Sequence, residues 1–207
     1  MSEPGNRLEY EERLWSEGFQ RVLGLDEVGR GCLSGPVVAA GVILKPGSTM
    51  EGIRDSKQLS GKDRDELAIL IREKALFWAI QSCSPAEIDR LNILNASIEA
   101  MMKCASQRGA SPDYLLVDGN RFAPCLTPVQ CIVKGDDRSQ SIAAASILAK
   151  VYRDGLMRDL HMELPVYGWN TNVGYPTRAH YKGLRTYGYS KYHRKSFNLK
   201  TDKLYLG

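Results

Sequence analysis

Cysteine and histidine are scarce in this chain. The 207 residues include five cysteines and three histidines. The cysteines are odd in number and include no Cys-x-x-Cys pair. This usage argues against a disulfide framework and against a structural zinc site, so we expect the cysteines to be small core residues. The histidines are too scattered to form a recognisable metal-ligand motif.

Long apolar runs are also absent. No run approaches the roughly 18 residues of a membrane-spanning helix, and the first fifteen residues, MSEPGNRLEYEERLW, are too acidic and polar for a signal peptide. The hydrophobic fraction of 43% and the charged fraction of 25% are those of a soluble globular protein. We expect a cytoplasmic protein with no membrane association, and a monomer, since nothing indicates an obligate dimer.

Positive charge is concentrated at one end of the chain. The formal net charge is +4, yet residues 167–207 hold eight lysines and arginines against one acid, Asp202. The same segment holds seven of the ten tyrosines. Cations pair with phosphates and aromatic rings pack on sugars and bases, so this composition favours a nucleic-acid partner. The alternative is a solvated tail, which would give the tyrosines no role.

The order of apolar segments predicts an α/β domain in which helices cover a mixed sheet. The first two strands form a hairpin around a glycine-rich turn. Ser60 can cap one helix, and Ser84-Pro85-Ala86-Glu87 is a strong helix start. The predicted strands are 22–25, 36–44, 76–83, 114–117 and 129–133, and the predicted helices are 8–20, 62–75, 85–107 and 141–160. We divide the chain into an N-terminal helical segment (1–19), a main domain (20–165) and a basic, tyrosine-rich extension (166–207).

Three of the predicted strands are followed by acidic residues: Asp26 with Glu27, then Asp118, then Asp136. Binding sites on open sheets gather at strand ends, and four converging carboxylates would repel one another. Oxygen ligands without His or Cys favour the hard cations Mg²⁺ or Mn²⁺, and two such ions about 3.5–4 Å apart are typical of displacement at phosphorus. With the basic segment, this pattern predicts metal-dependent phosphodiester hydrolysis, although acids at strand ends are often plain turn residues.

The glycines after the first strand have two possible roles. Successive residues on a regular strand point to opposite faces, so we expect the strand to bend or end at Asp26 and Glu27, as Gly29 and Gly31 would permit. The segment GRGCLSG resembles a dinucleotide-binding fingerprint, but its last gap is one residue too long and it leads into a strand. We therefore reject a nucleotide cofactor and expect close approach of the backbone to a ligand.

Six motifs, in order, resemble those of bacterial ribonuclease HII (type 2 ribonuclease H). The resemblance covers about residues 8–197 and implies a ribonuclease H-like fold with a small helical C-terminal extension. It also implies an endonuclease that cleaves the RNA strand of RNA–DNA hybrids, and that cleaves 5′ to single ribonucleotides in duplex DNA during ribonucleotide excision repair. The products would be 3′-hydroxyl and 5′-phosphate ends. The motifs are DEVGRG with GPVVAAGVIL, RDSKQLS, LLVDGN, KGDDRSQSIAAASILAKVYRD, GYPTRAH and HRKSF.

The resemblance assigns the catalytic and metal-binding role to the same four acids, with two Mg²⁺ or Mn²⁺ ions between them. They are Asp26, Glu27, Asp118 and Asp136; the last is chosen over its neighbour because it directly follows Lys-Gly. Asp154 is implied as a supporting residue, and its alternative is an ordinary acid on a helix surface.

The substrate-binding residues implied by the resemblance are Gly29, Arg30 and Gly31, which would sense the ribose 2′-hydroxyl. Tyr175 would pack on the sugar at the RNA–DNA junction and Lys57 would contact a phosphate. The alternatives are a domain-packing aromatic for Tyr175 and a solvated loop residue for Lys57. Val28 and Cys32 depart from the family's commoner alanine and proline. Two other functions stay open, a non-catalytic nucleic-acid-binding protein and another metal-dependent phosphodiesterase.

Overall fold

Five strands form a single mixed sheet in the computed structural model, which describes residues 7–53 and 59–197. The strand order is β3-β2-β1-β4-β5. β1 pairs antiparallel with β2 and β2 with β3, whereas β1 pairs parallel with β4 and β4 with β5. The central strand therefore joins an antiparallel half to a parallel half. The strands are β1 (Val22–Val28), β2 (Val37–Ile43), β3 (Phe77–Cys83), β4 (Tyr114–Asp118) and β5 (Val129–Ile132).

Helices cover both faces of this sheet, as predicted for an α/β domain. One face packs on α2 and α6 through a core that includes Val38, Ile71 and Ala144, and the other packs on α3 and α4 through Leu25, Ile88 and Met101. The helices are α1 (Glu9–Ser16), α2 (Gly61–Lys74), α3 (Pro85–Leu91), α4 (Ile93–Ala105), α5 (Gly135–Arg138), α6 (Gln140–Glu163), α7 (Trp169–Asn172) and α8 (Arg178–Tyr187), with a 3₁₀ turn at Pro165–Tyr167.

The predicted helix at 85–107 is wrong in one respect, because it is two helices. Its capping box forms: the Glu87 amide donates to the Ser84 hydroxyl, and the Glu87 carboxylate accepts from the Ser84 amide. The helix is interrupted at Asn92, whose φ of 64° and ψ of 164° are not helical. Asn92 then caps α4 by accepting a hydrogen bond from Asn95 N–H at 3.1 Å. Asparagine suits both tasks, since it tolerates positive φ and caps helices well.

The prediction that the first strand bends or ends at its acids is also wrong. β1 continues through Asp26 and Glu27 to Val28, and its register with β2 is regular up to the Val28–Val38 pair. The antiparallel pairing with β2 extends past the acids and holds them in the strand. The sharp turn comes only at Gly29, where φ is +95°.

The helical segment after α6 packs on the end of that helix. Its buried aromatics Tyr167, Trp169 and Tyr181 form a cluster with Met157 of α6 and with Leu33 of the hairpin turn. Tyr187 and Tyr189 stay exposed. Part of the tyrosine content therefore serves packing. No helix in the described ranges is both long and apolar enough to span a bilayer.

Candidate active site

The carboxyl ends of the parallel strands bring three of the predicted acids to one place. β1 and β4 are neighbours, and Leu25 pairs with Val117. Asp26 and Asp118 are the next residues of the two strands and so lie side by side. Asp118 in turn pairs with Ile132 of β5, and Asp136 follows in α5 four residues further on. Asp26 and Asp136 are each only 6% exposed, so these acids meet in a desolvated cleft.

The pKa of Asp26 shows that the acids act on one another. Burial raises this pKa well above its ordinary value. The negative charges of Glu27 and Asp118 raise it further, as does that of Asp136, while a hydrogen bond with Ser146 of α6 lowers it. Repulsion of this kind arises where carboxylates share a site without a compensating cation.

Glu27 lies on the opposite face of β1 from Asp26, because β1 is regular there. Its carboxylate accepts a hydrogen bond from the Arg30 guanidinium at 3.1 Å. Burial raises the pKa of Glu27, the charge of Arg30 lowers it, and the charge of Asp118 raises it. Glu27 therefore interacts electrostatically with Asp26 and Asp118, although its Cα–Cβ bond points to the other face of the strand.

The chemistry of these donors fits hard divalent cations, since all are carboxylate oxygens. As they stand, no three His, Cys, Asp or Glu side chains in residues 7–53 and 59–197 are arranged to hold one ion together. Asp118 Oδ1 accepts from Gly135 N–H at 2.7 Å, and Glu27 is paired with Arg30. Each of these contacts uses one carboxylate oxygen, so the second oxygen of each group could still ligate an ion.

The glycine-rich loop lies beside the acids, to which the Glu27–Arg30 pair connects it. A side chain at Gly31 would reach within 3.8 Å of the Tyr175 ring, so the loop and this tyrosine are in near contact. Tyr175 is 39% exposed. Its hydroxyl shares a hydrogen bond with the Cys32 thiol, and burial raises the pKa of both groups. An aromatic ring and a glycine backbone thus border the cleft together.

The Tyr175 backbone is held by His180, which pairs with a second buried histidine, His193; they lie in the motifs GYPTRAH and HRKSF, for which the sequence predicted no role for either ring. His180 Nδ1 donates to the Tyr175 carbonyl at 2.9 Å, and the His180 and His193 Nε2 atoms are 3.1 Å apart. His193 Nδ1 accepts from Ser190 N–H at 3.0 Å. These partners fix one arrangement in which both rings are neutral: a proton on His193 Nε2 is donated to His180 Nε2, and His180 carries its own proton on Nδ1. Burial lowers the pKa of both histidines, that of His193 to about 4.

The remaining predicted residues have different surroundings. Asp154 Oδ1 accepts from Lys150 Nζ at 2.9 Å and its side chain is 14% exposed. Its negative charge contributes to raising the pKa of Tyr175, so it lies near that side of the cleft. Lys57 lies outside the described residues. Arg153 and Arg194 lie in two of the quoted motifs, but the sequence predicted no role for them. Both are buried and bond carbonyls of the glycine-rich loop and its end.

Comparisons with known proteins agree with this architecture. The sequence model of the family described as Ribonuclease HII matches residues 23–200. The chain is 52% identical over 199 residues to a ribonuclease HII of Salinibacter ruber, covering 94% of this chain and all of the relative. It is 50% identical over 185 residues to one of Parabacteroides distasonis, covering 89% and 93% of the two chains.

A solved structure extends the likeness to three dimensions. The PCNA:RNase HII complex from Archaeoglobus fulgidus matches with a TM-score of 0.71 at 26% identity, over 87% of this chain and 96% of that one. The mixed sheet, its flanking helices and this likeness confirm the predicted ribonuclease H-like fold.

Proposed function

The chain belongs to the ribonuclease HII family and is a ribonuclease H, and on that premise we propose how it acts. It cleaves the RNA strand of RNA–DNA hybrids, and it cleaves 5′ to single ribonucleotides embedded in duplex DNA. The products carry 3′-hydroxyl and 5′-phosphate ends. The observation that carries this proposal is that neighbouring strands and α5 bring Glu27, Asp118 and Asp136 close enough to Asp26 for each charge to raise the pKa of Asp26.

These four carboxylates would hold two divalent cations, Mg²⁺ or Mn²⁺. The raised pKa of Asp26 supports this assignment, because a cleft with excess negative charge favours cations. When bound, such ions supply Lewis-acid chemistry, activating a water and stabilising charge on the leaving oxygen. The chain's own contribution is to fix the carboxylates on adjacent strands, with Ser146 of α6 as a hydrogen-bond partner of Asp26.

The substrate would be recognised beside the acids. Gly29, Arg30 and Gly31 would read the ribose 2′-hydroxyl through the backbone, and Tyr175 would pack on the neighbouring sugar. Support comes from the near contact of Gly31 with the Tyr175 ring and from the exposed fraction of that ring. Asp154 would support the site from α6. The enzyme would act in ribonucleotide excision repair. It would do so in the cytoplasm and as a monomer.

Neighbouring acids on α5 provide a matched test of the metal site. Asp136 is buried, whereas the Asp137 side chain is 41% exposed and lies 3.9 Å from Arg7. We expect Asp136→Asn to lower kcat by about 100-fold or more with Mg²⁺, because several kcal/mol of charge stabilisation would be lost. Affinity for the duplex should change little, since phosphate contacts supply most of it. Asp137→Asn should cleave nearly as well as the wild type.

The assay compares duplexes with and without one ribonucleotide, in Mg²⁺ or in EDTA. Cleavage only of the ribonucleotide-containing duplex, and only with the metal, supports the proposal. Binding without cleavage would indicate a nucleic-acid-binding protein, and cleavage of the all-DNA duplex would indicate a different phosphodiesterase. Equal activity of Asp136→Asn and the wild type would refute the metal-binding role of Asp136.

A further inference from the structure

Two arginines are buried, and none of the described acidic side chains forms an ion pair with either of them. Arg153 of α6 is 0% exposed and Arg194, in the segment after α8, is 1% exposed. Neither forms an ion pair within residues 7–53 and 59–197. Burial lowers the pKa of Arg194 to about 10. Burying a guanidinium is costly unless its donors are satisfied, so the groups that do satisfy them are informative.

The Arg194 side chain donates three hydrogen bonds to the backbone of the glycine-rich loop. Its Nη2 bonds the Gly29 carbonyl at 2.7 Å, its Nη1 bonds the Arg30 carbonyl at 2.9 Å, and its Nε bonds the Gly35 carbonyl at 3.0 Å. Backbone bonds reinforce this attachment, because Arg194 N–H donates to the Leu33 carbonyl at 2.9 Å. The Arg194 side chain thus forms hydrogen bonds at both ends of the loop, at Gly29 and at Gly35.

Arg153 joins the same loop to the segment that carries Tyr175. Its Nε bonds the Pro36 carbonyl at 3.0 Å and its Nη2 bonds the Ser34 carbonyl at 3.1 Å. Its Nη1 bonds the Val173 carbonyl at 2.8 Å, two residues before Tyr175. The planar guanidinium can serve three carbonyls at fixed angles, which the ammonium of lysine cannot reproduce.

The loop is shaped to receive these side chains. Gly29 has a φ of +95°, and a Cβ there would collide with the Arg153 guanidinium. Within a planar trans peptide, the C=O and N–H groups point in opposite directions. Because the Gly29 and Arg30 carbonyls point inward to Arg194, the N–H groups of Arg30 and Gly31 point away from it. An N–H group that points away from Arg194 can donate a hydrogen bond to a ligand hydroxyl.

We propose that Arg153 and Arg194 are positioning residues that set the Gly29–Pro36 loop in the conformation that reads the ribose 2′-hydroxyl. The inference rests on the proposed function, since it concerns how that recognition is built. Arg194 orients the Gly29–Arg30 and Arg30–Gly31 peptide groups. Arg153 fixes the distance between the loop and Tyr175.

The test is steady-state cleavage of a duplex with one ribonucleotide, with an all-DNA duplex of the same sequence as competitor. We expect Arg194→Lys to raise KM about tenfold while the inhibition constant of the all-DNA duplex stays unchanged, because roughly one hydrogen bond to the 2′-hydroxyl is lost. A partly unfolded enzyme would show a lower kcat with an unchanged KM. Arg153→Lys should behave like Arg194→Lys, and Tyr175→Ala provides the comparison for lost sugar packing.

Two further measurements keep the inference falsifiable if a variant is unstable. Guanidinium ion at a non-denaturing concentration should restore the KM of Arg194→Ala, whereas sodium chloride at the same ionic strength should not. Ile71→Ala, a core truncation in α2, serves as a control for lost stability and should leave KM unchanged. The proposal is overturned if Arg194→Lys retains the wild-type KM, or if Ile71→Ala raises KM equally. Failure of the wild type to cleave the ribonucleotide duplex would instead overturn the proposed function.

Discussion

Asp26 is buried where its negative charge is unfavourable. Its pKa is raised by burial and by the acids around it, so folding favours its protonated form. The stability gained from that preference is complete below the unfolded-state pKa of about 4 and is lost as the pH rises through the higher folded-state pKa. At a pH above the folded-state pKa, the metal-free protein therefore carries a destabilising charge at this position.

We expect Asp26→Asn to raise the melting temperature of the protein in EDTA at pH 8 and to abolish most turnover. The amide keeps an oxygen that can accept from Glu27 N–H, as Asp26 Oδ1 does at 2.7 Å, but it carries no charge. The gain should shrink as the pH falls toward 4, and Mg²⁺ should stabilise the wild type more than the variant. Thermal unfolding with and without Mg²⁺ measures both effects. A variant less stable than the wild type in EDTA at pH 8 would contradict this account.

At the scale of elements, α6 connects the core to the site. Its small residues Ala143, Ala144 and Ala145 are fully buried, and it crosses β1 so closely that a Cβ at Gly24 would collide with the Ser141 backbone. One helical face further along carries the residues that meet the cleft and its loop: Ser146, Lys150, Arg153, Asp154 and Met157. Close packing at one end of the helix thus fixes the positions of functional side chains at the other.

The break between α3 and α4 gives a prediction at the same scale. Asn92 has a backbone conformation that non-glycine residues rarely adopt, and its side chain caps α4. We expect Asn92→Ala to cost about 2 kcal/mol, from the lost cap and increased backbone strain. Asn92→Gly should change stability by less than about 0.5 kcal/mol, because glycine adopts this conformation freely and is itself an acceptable cap. Urea denaturation measures both changes; equal losses for the two variants would rule out a strained backbone.

At the scale of the whole molecule, the C-terminal segment is tied to the main sheet by polar groups. Ser34 and His193 form a β-bridge, and Asp89 of α3 accepts from the backbone amides of Lys195 and Ser196. The neutral His180–His193 pair lies within this junction. In this pair, His180 Nε2 and His193 Nδ1 each accept a hydrogen bond through a lone pair. Protonating either ring would remove one of these lone pairs and place a positive charge in a buried region.

The sign of the resulting pH effect follows from the lowered pKa of His193. This pKa falls from 6.5 to about 4 on folding, so the unfolded chain binds the proton more readily in that range. Stability present above pH 6.5 is therefore lost as the pH falls toward 4, by up to about 3 kcal/mol. We expect His193→Gln to flatten the dependence of unfolding free energy on pH over this interval. With three histidines in the chain, NMR titration can follow each ring, and a His193 pKa near 6.5 would contradict the prediction.

The sequence alone determined the features that depend on neighbouring residues. The hairpin, the Ser60 and Ser84 caps and the small residues of α6 follow from local propensity, turn chemistry and capping, and the structure contains all of them. The acids after successive strands identified the carboxyl edge of the sheet. The exception was Asn92, whose departure from a helical conformation was not predicted from the residues around it.

Only the tertiary structure decided which distant groups meet. The sheet order places Asp26 beside Asp118, and no local pattern specifies that neighbour. Arg153 and Arg194 lie in quoted motifs, but the sequence could not show what they contact, because their partners are backbone carbonyls, which every residue type possesses. Most of their side-chain hydrogen bonds join positions more than 100 residues apart, such as Arg153 with Ser34 and Arg194 with Gly29. Such contacts require the hairpin, α6 and the C-terminal segment to lie together, as their shared apolar cluster makes them do.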